Sequence, residues 1–250
     1  MKGKLKTMAR HWVLAFLYPR PIVGIFRLPR FFGHLKRYRR LAGKAVPVAD
    51  LQPCLGDWSS HTPFDAHYFY QGAWLARMVA ETKPERHVDI GSSVLSISIL
   101  SAWTDTVFVD YRPLKANLPG LDSVAGNILN LPFASGSIDS LSCLHVIEHI
   151  GLGRYGDPID PEGSVKAALE LQRILKPGGK LYLSLPIGRE RVCFNAHRVH
   201  SPFSVPKMFA DLRLIDFSFV DDGEQLKENS PLEAAALLDY GCGLFRFEKP

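Results

Sequence analysis

The chain has 250 residues, of which 46% are apolar and 22% are charged. This composition is typical of a globular protein, and the length allows one well-filled domain with an extension but not two full-sized domains. The net charge of +5 is unevenly distributed, because residues 1–50 carry twelve Lys or Arg and one acid, whereas the rest carry 18 bases and 24 acids. The positive charge therefore belongs to the N-terminal segment, which argues against a basic nucleic-acid cleft in the remaining chain, and we expect no nucleic-acid partner.

The cysteines are far apart in the sequence and form no C-x-x-C pair. This spacing indicates neither a zinc ribbon nor a redox motif, so the cysteine pattern predicts no metal. It is also compatible with a reducing compartment, and we expect the protein to be cytoplasmic. The four cysteines are Cys54, Cys143, Cys193 and Cys242.

Residues 11–32 are rich in aromatic and aliphatic side chains but are repeatedly interrupted by Arg and Pro. No stretch approaches the roughly 20 uninterrupted apolar residues of a membrane-spanning helix. Pro19, Pro21 and Pro29 predict that this segment is not one continuous helix. Two interpretations are open for residues 1–44: peripheral contact with the inner face of a membrane through basic and aromatic side chains, or an arm that packs on its own domain or on a partner subunit.

The next segment, residues 44–62, is rich in Pro, Gly, Asp and Ser and is predicted to be a linker. We therefore divide the chain into an N-terminal arm with linker over residues 1–56 and a domain over residues 57–250. Apolar side chains at helical spacing predict a helix over Phe64–Glu81.

Beyond residue 84 the pattern alternates between short apolar strands and helices. A helix is predicted over Ser164–Leu175, ending before the Lys176–Gly179 stretch K-P-G-G. Such alternation predicts an α/β fold with a mainly parallel central sheet covered by helices on both faces. The predicted strands are Arg86–Ile90, Thr106–Asp110, Asp122–Ala125, Ser140–Leu144 and Lys180–Leu185.

The first predicted strand runs into a turn of small residues, Gly91-Ser92-Ser93, and then into a helix. This arrangement lets a ligand approach backbone N–H groups at the start of the helix. Asp110 ends the next strand, 21 residues after Asp89, which is the usual distance for an acid that binds ribose hydroxyls. Taken alone, these features also suit the dinucleotide site of a dehydrogenase.

Further segments narrow the interpretation: L-P-F at 131–133, Asp139, H-V-I-E-H at 145–149 and L-K-P-G-G at 175–179. Together with D-x-G at 89–91, this series resembles the class I S-adenosylmethionine-dependent methyltransferases, in which these motifs occur in the same order. Including residues 64–74, 151–163 and 240–247, the chain resembles a bacterial methyltransferase-like family of unknown function.

The resemblance implies a Rossmann-like methyltransferase fold, S-adenosylmethionine as cofactor and methyl transfer as the reaction. It places Asp89 and Gly91 at the methionine end of the cofactor and His145 beside the sulfonium. The loop departs from the family, since it has one glycine where G-x-G-x-G is frequent, so a non-catalytic binding or scaffold protein with this fold stays open. The implied cofactor-binding residues are Asp89, Gly91, Ser92, Ser93, Asp110, Tyr111, Asn127, Ile128 and His145.

Methyl transfer requires alignment of the acceptor with the methyl group, and a hydroxyl acceptor also benefits from a general base. Loops after the fourth and fifth strands carry the candidates, because ligands of such sheets bind at the carboxyl ends of the strands. A metal site of His145, His149 and a carboxylate is not favoured, because H-V-I-E-H is not the H-E-x-x-H zinc pattern. The candidate catalytic residues are His145, His149, Asp157 and His197.

The polar loops also suggest the class of acceptor. Arg189, Arg191 and Arg198 either bind an anionic acceptor or are solvated loop charges. The abundance of His, Asp, Tyr and Arg suits a polyhydroxylated or acidic ligand, so the expected acceptor is a small molecule or glycan. The expected reaction is O-methylation of a saccharide, as in polysaccharide biosynthesis.

Overall fold

A computed structural model describes the chain from Pro21 to Pro250. The expectations that concern residues 1–20, including the effect of Pro19, lie outside the described residues. Two compact units divide the chain: the first ends at Phe64 and the second runs from Asp65 to Pro250.

The first unit contains a 22-residue helix, α1, over Pro21–Ala42. The prediction that prolines interrupt the helix here is wrong at Pro29, which lies inside α1, and is untested at Pro19, which lies outside the described residues. An interior proline removes one backbone donor and costs about 3 kcal/mol, which the other turns of a long helix can offset. Two arginines of α1 bond the segment that follows the helix. Arg27 donates a hydrogen bond to the carbonyl of Leu55 at 2.8 Å, and Arg39 donates one to the carbonyl of Val46 at 2.7 Å. Among residues 21–250, no helix is both long enough and apolar enough to span a bilayer.

The second unit contains the predicted alternation of strands and helices. Its helices are α2 (Ala66–Thr82), α3 (Val94–Leu100), α4 (Gly163–Ile174) and α5 (Val205–Met208). Its strands are β1 (Arg86–Ile90), β2 (Asp105–Asp110), β3 (Leu121–Ala125), β4 (Ile138–Leu144), β5 (Leu175–Ile187), β6 (Arg191–Cys193), β7 (His197–Val199), β8 (Arg213–Val220), β9 (Leu226–Lys227) and β10 (Gly241–Glu248).

Eight of these strands form one sheet in the order β3-β2-β1-β4-β5-β10-β8-β9. Strands β1 to β5 run parallel to one another, and β10 is antiparallel to both β5 and β8. The mainly parallel sheet is therefore confirmed, and the antiparallel strands after β5 are an addition. The strand order reverses between β1 and β4, so the chain leaves these two neighbours in opposite directions and a crevice opens at their carboxyl ends.

Helices cover both faces of this sheet, as the alternation predicted. On one face, α4 buries Ala167, Ala168 and Leu171 completely against the sheet. On the other face, Trp74 and Leu75 of α2 pack in a second core cluster. Because both faces of the sheet are covered, the central strands β1 and β4 are buried along most of their length, polar side chains included.

The K-P-G-G segment has a different role from the one predicted. Helix α4 does end before it, at Ile174, but β5 begins at Leu175 and includes all four residues. Gly178 has a φ of +76°, and the pairing of β4 with β5 shifts register between Ile138 and Ser140. The segment is thus an irregular start of the strand, where a left-handed glycine allows the shift.

Candidate functional site

A cavity of about 340 Å³ lies at the carboxyl ends of the parallel strands, where the strand order reverses. The loops that follow β1, β2, β3 and β4 each contribute to its wall. Among the residues predicted for the site, the lining includes Gly91, Asp110, Tyr111, Asn127, Ile128, His145, His149 and Asp157.

Gly91 is the residue with left-handed backbone conformation in the turn after β1. Its φ is +68°, and a Cβ at this position would lie 3.3 Å from Val146 Cγ1 and 3.8 Å from Asp110 Oδ2. An L-residue with a side chain would be strained there and would fill the space between the turn and Asp110. The glycine therefore keeps this part of the cavity open.

Asp89 supports the turn from inside the protein instead of lining the cavity. Its buried carboxylate accepts hydrogen bonds from Ser92 N at 3.0 Å, from Ser92 Oγ at 2.6 Å and from Ser142 Oγ. Ser92 Oγ in turn accepts a hydrogen bond from Leu144 N at 2.9 Å. Burial raises the pKa of Asp89 to about 6, although the serine hydrogen bonds act in the opposite direction.

This network makes Ser92 a cross-link between the β1 turn and β4. It extends to His87, whose ring nitrogens lie 2.8 Å from Ser140 Oγ and Ser142 Oγ. Ser92 and Ser93, like Asp89, are not in the lining of the cavity, and direct ligand contacts by these three residues stay a prediction. The serine at position 92 thus orders the turn by hydrogen bonding.

Beside the Gly91 turn, Asp110 presents a carboxylate to the cavity. Its Oδ1 accepts a hydrogen bond from Arg112 N at 2.6 Å, and its side chain is 21% exposed. Asn127 Oδ1 accepts a hydrogen bond from Leu129 N at 2.9 Å, which shapes the turn that carries Ile128. Asp110 can therefore accept hydrogen bonds from a ligand, while Ile128 offers an apolar surface beside it.

Next to this cavity lies a histidine–tyrosine cluster that the sequence patterns did not predict as a unit. His145 lies 5.6 Å from His67 and 5.4 Å from Tyr68 between ring centroids. His197 lies 5.4 Å from Tyr240 and 6.4 Å from His149. The cluster consists of His67, Tyr68, His145, His149, Tyr155, His197 and Tyr240.

A fully buried carboxylate, Glu148, lies behind the cluster. Its Oε1 is 3.0 Å from His145 Nδ1 and 3.7 Å from His149 Nε2. On the far side of the His145 ring, Nε2 lies 3.3 Å from Cys242 Sγ. His145 has a φ of +54°, an uncommon backbone conformation for a residue other than glycine, which is often found at functional sites.

These contacts divide the histidines by charge. Burial lowers the pKa of His145, but Cys242 and Glu148 outweigh it and raise that pKa to about 10. Burial raises the pKa of Glu148, but His145 outweighs it and holds that pKa below the usual value. Burial lowers the pKa of His67 to about 4 and lowers that of His197. His145 is therefore an imidazolium beside a carboxylate at neutral pH, whereas His67 and His197 are neutral.

His149 and Asp157 differ as candidate bases. His149 Nδ1 donates to the carbonyl of Ala196 at 2.6 Å, which leaves Nε2 as the acceptor nitrogen. The carboxylate of Asp157 accepts from the backbone N–H groups of Gly151 and Tyr155, at 2.6 and 3.2 Å. Burial raises the pKa of Asp157, but these backbone hydrogen bonds outweigh it and lower that pKa, so Asp157 is a weak base that organises its loop.

The three arginines of the loop after β5 are engaged within the protein. Arg198 is buried and donates to the carbonyls of Ile150 and Asp160, at 2.7 and 3.1 Å. Arg189 and Arg191 both lie within ion-pair distance of Asp239, at 3.1 and 3.5 Å. Two interpretations were given for these residues: an anion site or solvated loop charges. The anion site has least support at Arg198, which is buried with its donors engaged by backbone carbonyls.

Sequence reasoning missed His67, Tyr68, Tyr240 and Cys242. His67 and Tyr68 lie on the first turn of α2, Tyr240 directly precedes β10, and Cys242 lies in β10. Only the family resemblance drew attention to their segments. Only the fold brings them to His145, because no local pattern links these distant parts of the chain.

Comparisons with known proteins agree with this architecture. Residues 130–236 match a family described as "Caenorhabditis protein of unknown function, DUF268". A curated relative, ubiquinone biosynthesis O-methyltransferase of Xanthomonas oryzae pv. oryzae (strain PXO99A), is 28% identical over 97 residues, which are 39% of this chain and 31% of the relative. The chain thus spans about a third of the length of the curated relatives it matches.

Solved structures resemble the chain over a larger part of its length. N-methyltransferase NodS of Bradyrhizobium japonicum, solved with S-adenosylhomocysteine, is 16% identical with a TM-score of 0.52 and covers 86% of this chain and 98% of its own. A putative methyltransferase of Bacillus halodurans is 15% identical with a TM-score of 0.52, covering 72% of this chain and 98% of its own. The [4+2]-cyclase SpnF is 14% identical, also with a TM-score of 0.52, and the likeness covers 71% of this chain and 81% of SpnF. Strand order, sheet direction and these likenesses together show that the chain has the fold of the class I S-adenosylmethionine-dependent methyltransferases.

Proposed function

We propose that the protein transfers a methyl group from S-adenosylmethionine to a small-molecule or glycan acceptor. The observation that carries the proposal is one cavity in which the Gly91 turn and Asp110 face the histidine–tyrosine cluster. His145 and His149 belong to both, since they line the cavity and are members of the cluster. A cofactor site and a proton-transfer site are thereby adjacent.

The residues present fit the proposed cofactor. The volume of the cavity, about 340 Å³, lies within the range of small-molecule sites, about 300–1,000 Å³. Gly91 leaves room for a ligand beside the turn, Asp110 can accept hydrogen bonds from ribose hydroxyls, and Ile128 offers an apolar surface for a purine. Asp157 and Asp160 also line the cavity, so its walls carry three carboxylates beside the cationic side chains of Arg112 and His145.

When bound, S-adenosylmethionine supplies an electrophilic methyl carbon. The chain contributes position and proton transfer. His149 lines the cavity, its Nε2 lies 3.7 Å from Glu148 Oε1, and we assign it to take the proton of an acceptor hydroxyl. His145, which faces Glu148 through Nδ1 and Cys242 through Nε2, would contribute its positive charge beside the acceptor, and the neutral His197 is the alternative base. Tyr155, 41% exposed at the edge of the cavity, would limit access of water.

The chemistry of the cluster suggests the acceptor. Imidazole and phenol groups bind hydroxyl-rich ligands by hydrogen bonding and ring stacking. This supports a saccharide as acceptor, with O-methylation in polysaccharide biosynthesis as the reaction. The curated relative is named as an O-methyltransferase, which supports oxygen as the acceptor atom.

The decisive experiment is isothermal titration of the full chain with S-adenosylhomocysteine, S-adenosylmethionine and NADH. We expect saturable heat with the first two and none with NADH. Saturable binding of NADH would favour the dehydrogenase, and the absence of heat with both adenosyl ligands would contradict the proposal.

Turnover separates an enzyme from a scaffold with the same fold. The full chain is incubated with S-adenosylmethionine and a panel of mono- and oligosaccharides and phenols, and released S-adenosylhomocysteine is measured. We expect release with at least one saccharide and its loss in His149→Phe. SpnF, named as a cyclase, has the same fold, so binding of S-adenosylmethionine without release would favour a binding or scaffold role.

We also propose that the protein is cytoplasmic and contacts the inner membrane face through residues 1–44. In the described part of that segment, α1 exposes the basic side chains of Lys36, Arg37 and Arg40. Each basic residue near an anionic surface contributes about 1 kcal/mol of attraction. We expect the full chain to float with anionic liposomes, and a triple substitution of these residues by Glu to abolish flotation. Equal flotation of the variant would contradict the membrane contact.

A further inference from the structure

Three side chains from distant parts of the chain converge at one point of the histidine–tyrosine cluster. They are His67 at the start of α2, His145 after β4 and Cys242 in β10, and each offers one ligand atom within 4.8 Å of the others. His145 Nε2 and Cys242 Sγ are the nearest pair, at 3.3 Å, although 97 positions separate the two residues in the chain. We propose that these three residues bind a divalent transition-metal ion of the zinc class.

The chemistry of the donors fits such an ion. Imidazole and thiolate are the ligands that Zn²⁺ prefers, and bond lengths of about 2.0–2.3 Å place the ligand atoms of a tetrahedral site about 3.3–3.6 Å apart. The His145–Cys242 distance already lies in that range. The other distances between ligand atoms are up to 4.8 Å and would shorten to that range if the partly exposed His67 side chain moved by roughly 1 Å. A change of side-chain rotamer would move it further than that.

The surroundings of His145 provide a second, independent argument. A metal-binding histidine commonly presents its other ring nitrogen to a carboxylate, which fixes the ring and increases its basicity. His145 has this arrangement, because Nδ1 lies 3.0 Å from the fully buried carboxylate of Glu148 while Nε2 faces Cys242. A bound ion would lie between His145 Nε2 and Cys242 Sγ, while His145 Nδ1 would keep its contact with Glu148.

Three protein ligands leave one position of a tetrahedral ion for a further ligand. In such a site the three residues would hold the ion within the histidine–tyrosine cluster, and the ion would supply Lewis acidity to a bound acceptor hydroxyl. This use of the ion rests on the proposed methyl transfer, whereas metal binding itself does not. The cysteine pattern in the sequence predicted no metal, because the three ligands share no local motif.

Cobalt(II) titration of the chelator-treated full chain tests the proposal. We expect one equivalent of Co²⁺ to give a thiolate-to-cobalt charge-transfer band that Zn²⁺ displaces. The band is expected to vanish in Cys242→Ser and to survive in Cys54→Ser, whose thiol is exposed in the first unit. Glu148→Gln is expected to retain the band with affinity about 10–100-fold weaker.

His67→Gln decides the outcome if Cys242→Ser fails to fold, because His67 is partly exposed and its loss should leave the core intact. We expect at least a tenfold loss of cobalt affinity in this variant. No band with the wild-type chain, a band that survives Cys242→Ser, or full affinity in His67→Gln would each overturn the site. Heat of S-adenosylhomocysteine binding, measured without metal, separates failure of the metal site from failure of the proposed function.

Discussion

The two halves of the candidate site are assembled in different ways. Much of the cavity wall is made of turns that directly follow β1, β2, β3 and β4, so residues such as Gly91 and Asp110 are positioned by the strand immediately before them. The histidine–tyrosine cluster draws on α2, the loop after β4, β7 and the residue before β10. The first half therefore depends on local geometry, whereas the second depends on how distant elements of the sheet and its helices pack.

This difference predicts which substitutions affect which half. A change in a turn beside the cavity should reduce adenosyl-ligand binding, and a change in the cluster should alter pH dependence or metal binding. The four predictions below test that separation.

The largest effect is expected for Gly91→Val. Because the backbone at this position is left-handed, valine costs about 1–2 kcal/mol in strain, and its side chain enters the space beside Val146 and Asp110. We expect the affinity for S-adenosylhomocysteine, measured by isothermal titration, to fall at least about 100-fold, or about 2.8 kcal/mol.

Gly136→Val is the matched control, since Gly136 has a similar φ of +65° and a Cβ there would meet nothing within 4 Å. It should lose stability through the same backbone strain and keep the affinity of the wild type. Equal loss of binding in both variants would show that strain alone explains the effect of Gly91→Val.

The next effect is on stability. Asp89→Ala leaves the buried hydroxyls of Ser92 and Ser142 without their acceptor, and a buried unsatisfied polar group costs about 1–3 kcal/mol. We expect the free energy of unfolding, measured by urea denaturation, to fall by about 2–3 kcal/mol.

A double variant, Asp89→Ala with Ser142→Ala, distinguishes the network from simple loss of contact. Removing both partners should cost less than the sum of the two single substitutions, because fewer polar groups stay unsatisfied. Strict additivity would mean that the hydrogen bonds seen between these residues contribute little.

A smaller effect is expected for Asp110→Ala. Loss of the carboxylate removes the proposed hydrogen bonds to ribose, worth about 1–3 kcal/mol of binding for a charged acceptor. Asp122→Ala is the control, because Asp122 lies on the neighbouring strand β3 and pairs with Arg86 at the surface. Isothermal titration with S-adenosylhomocysteine should show weaker binding only for Asp110→Ala, and unchanged affinity would remove Asp110 from the site.

The extent to which the sequence predicted this molecule follows the same division. Strands β1 to β4 and helices α2 and α4 were predicted to within about three residues, because their apolar periodicity and turn residues are local. Gly91 and Asp110 were placed by their distance from a strand end, and they do line one cavity. The antiparallel strands β8 and β10 were not predicted, since nothing local specifies which strand pairs with which.

The cluster shows the limit most clearly. In the sequence, strands β1 to β4 lie between His67 and His145. The residues around His67 predict only the start of a helix. The complete burial of Glu148 between two histidines likewise depends on tertiary packing. Single residues that meet through packing leave no pattern in one sequence, whereas turns after strands do.

The smallest expected effect is the pH dependence of stability, which tests whether the cluster contains an ion pair. The pKa of His145, raised to about 10 by Cys242 and Glu148 against the effect of burial, exceeds the ordinary value of 6.5. A raised pKa in the folded state means that this contribution to stability is full below pH 6.5 and is lost as the pH rises towards 10. The pKa of Glu148 is lowered from 4.5, so its contribution is full above pH 4.5 and is lost as the pH falls below that value.

We therefore compare the melting temperatures of the wild type and Glu148→Gln from pH 4.5 to 10. Since both partners are charged between pH 4.5 and 6.5, the difference should be greatest there and should narrow by several degrees towards pH 10. Glu170→Gln is the control, because Arg173 lowers the pKa of Glu170 and Glu170 raises that of Arg173, so neither group titrates between pH 6.5 and 10. If the melting-temperature difference between the wild type and Glu148→Gln is as independent of pH as that of the control, His145 is neutral. The cluster would then hold a hydrogen bond in place of an ion pair.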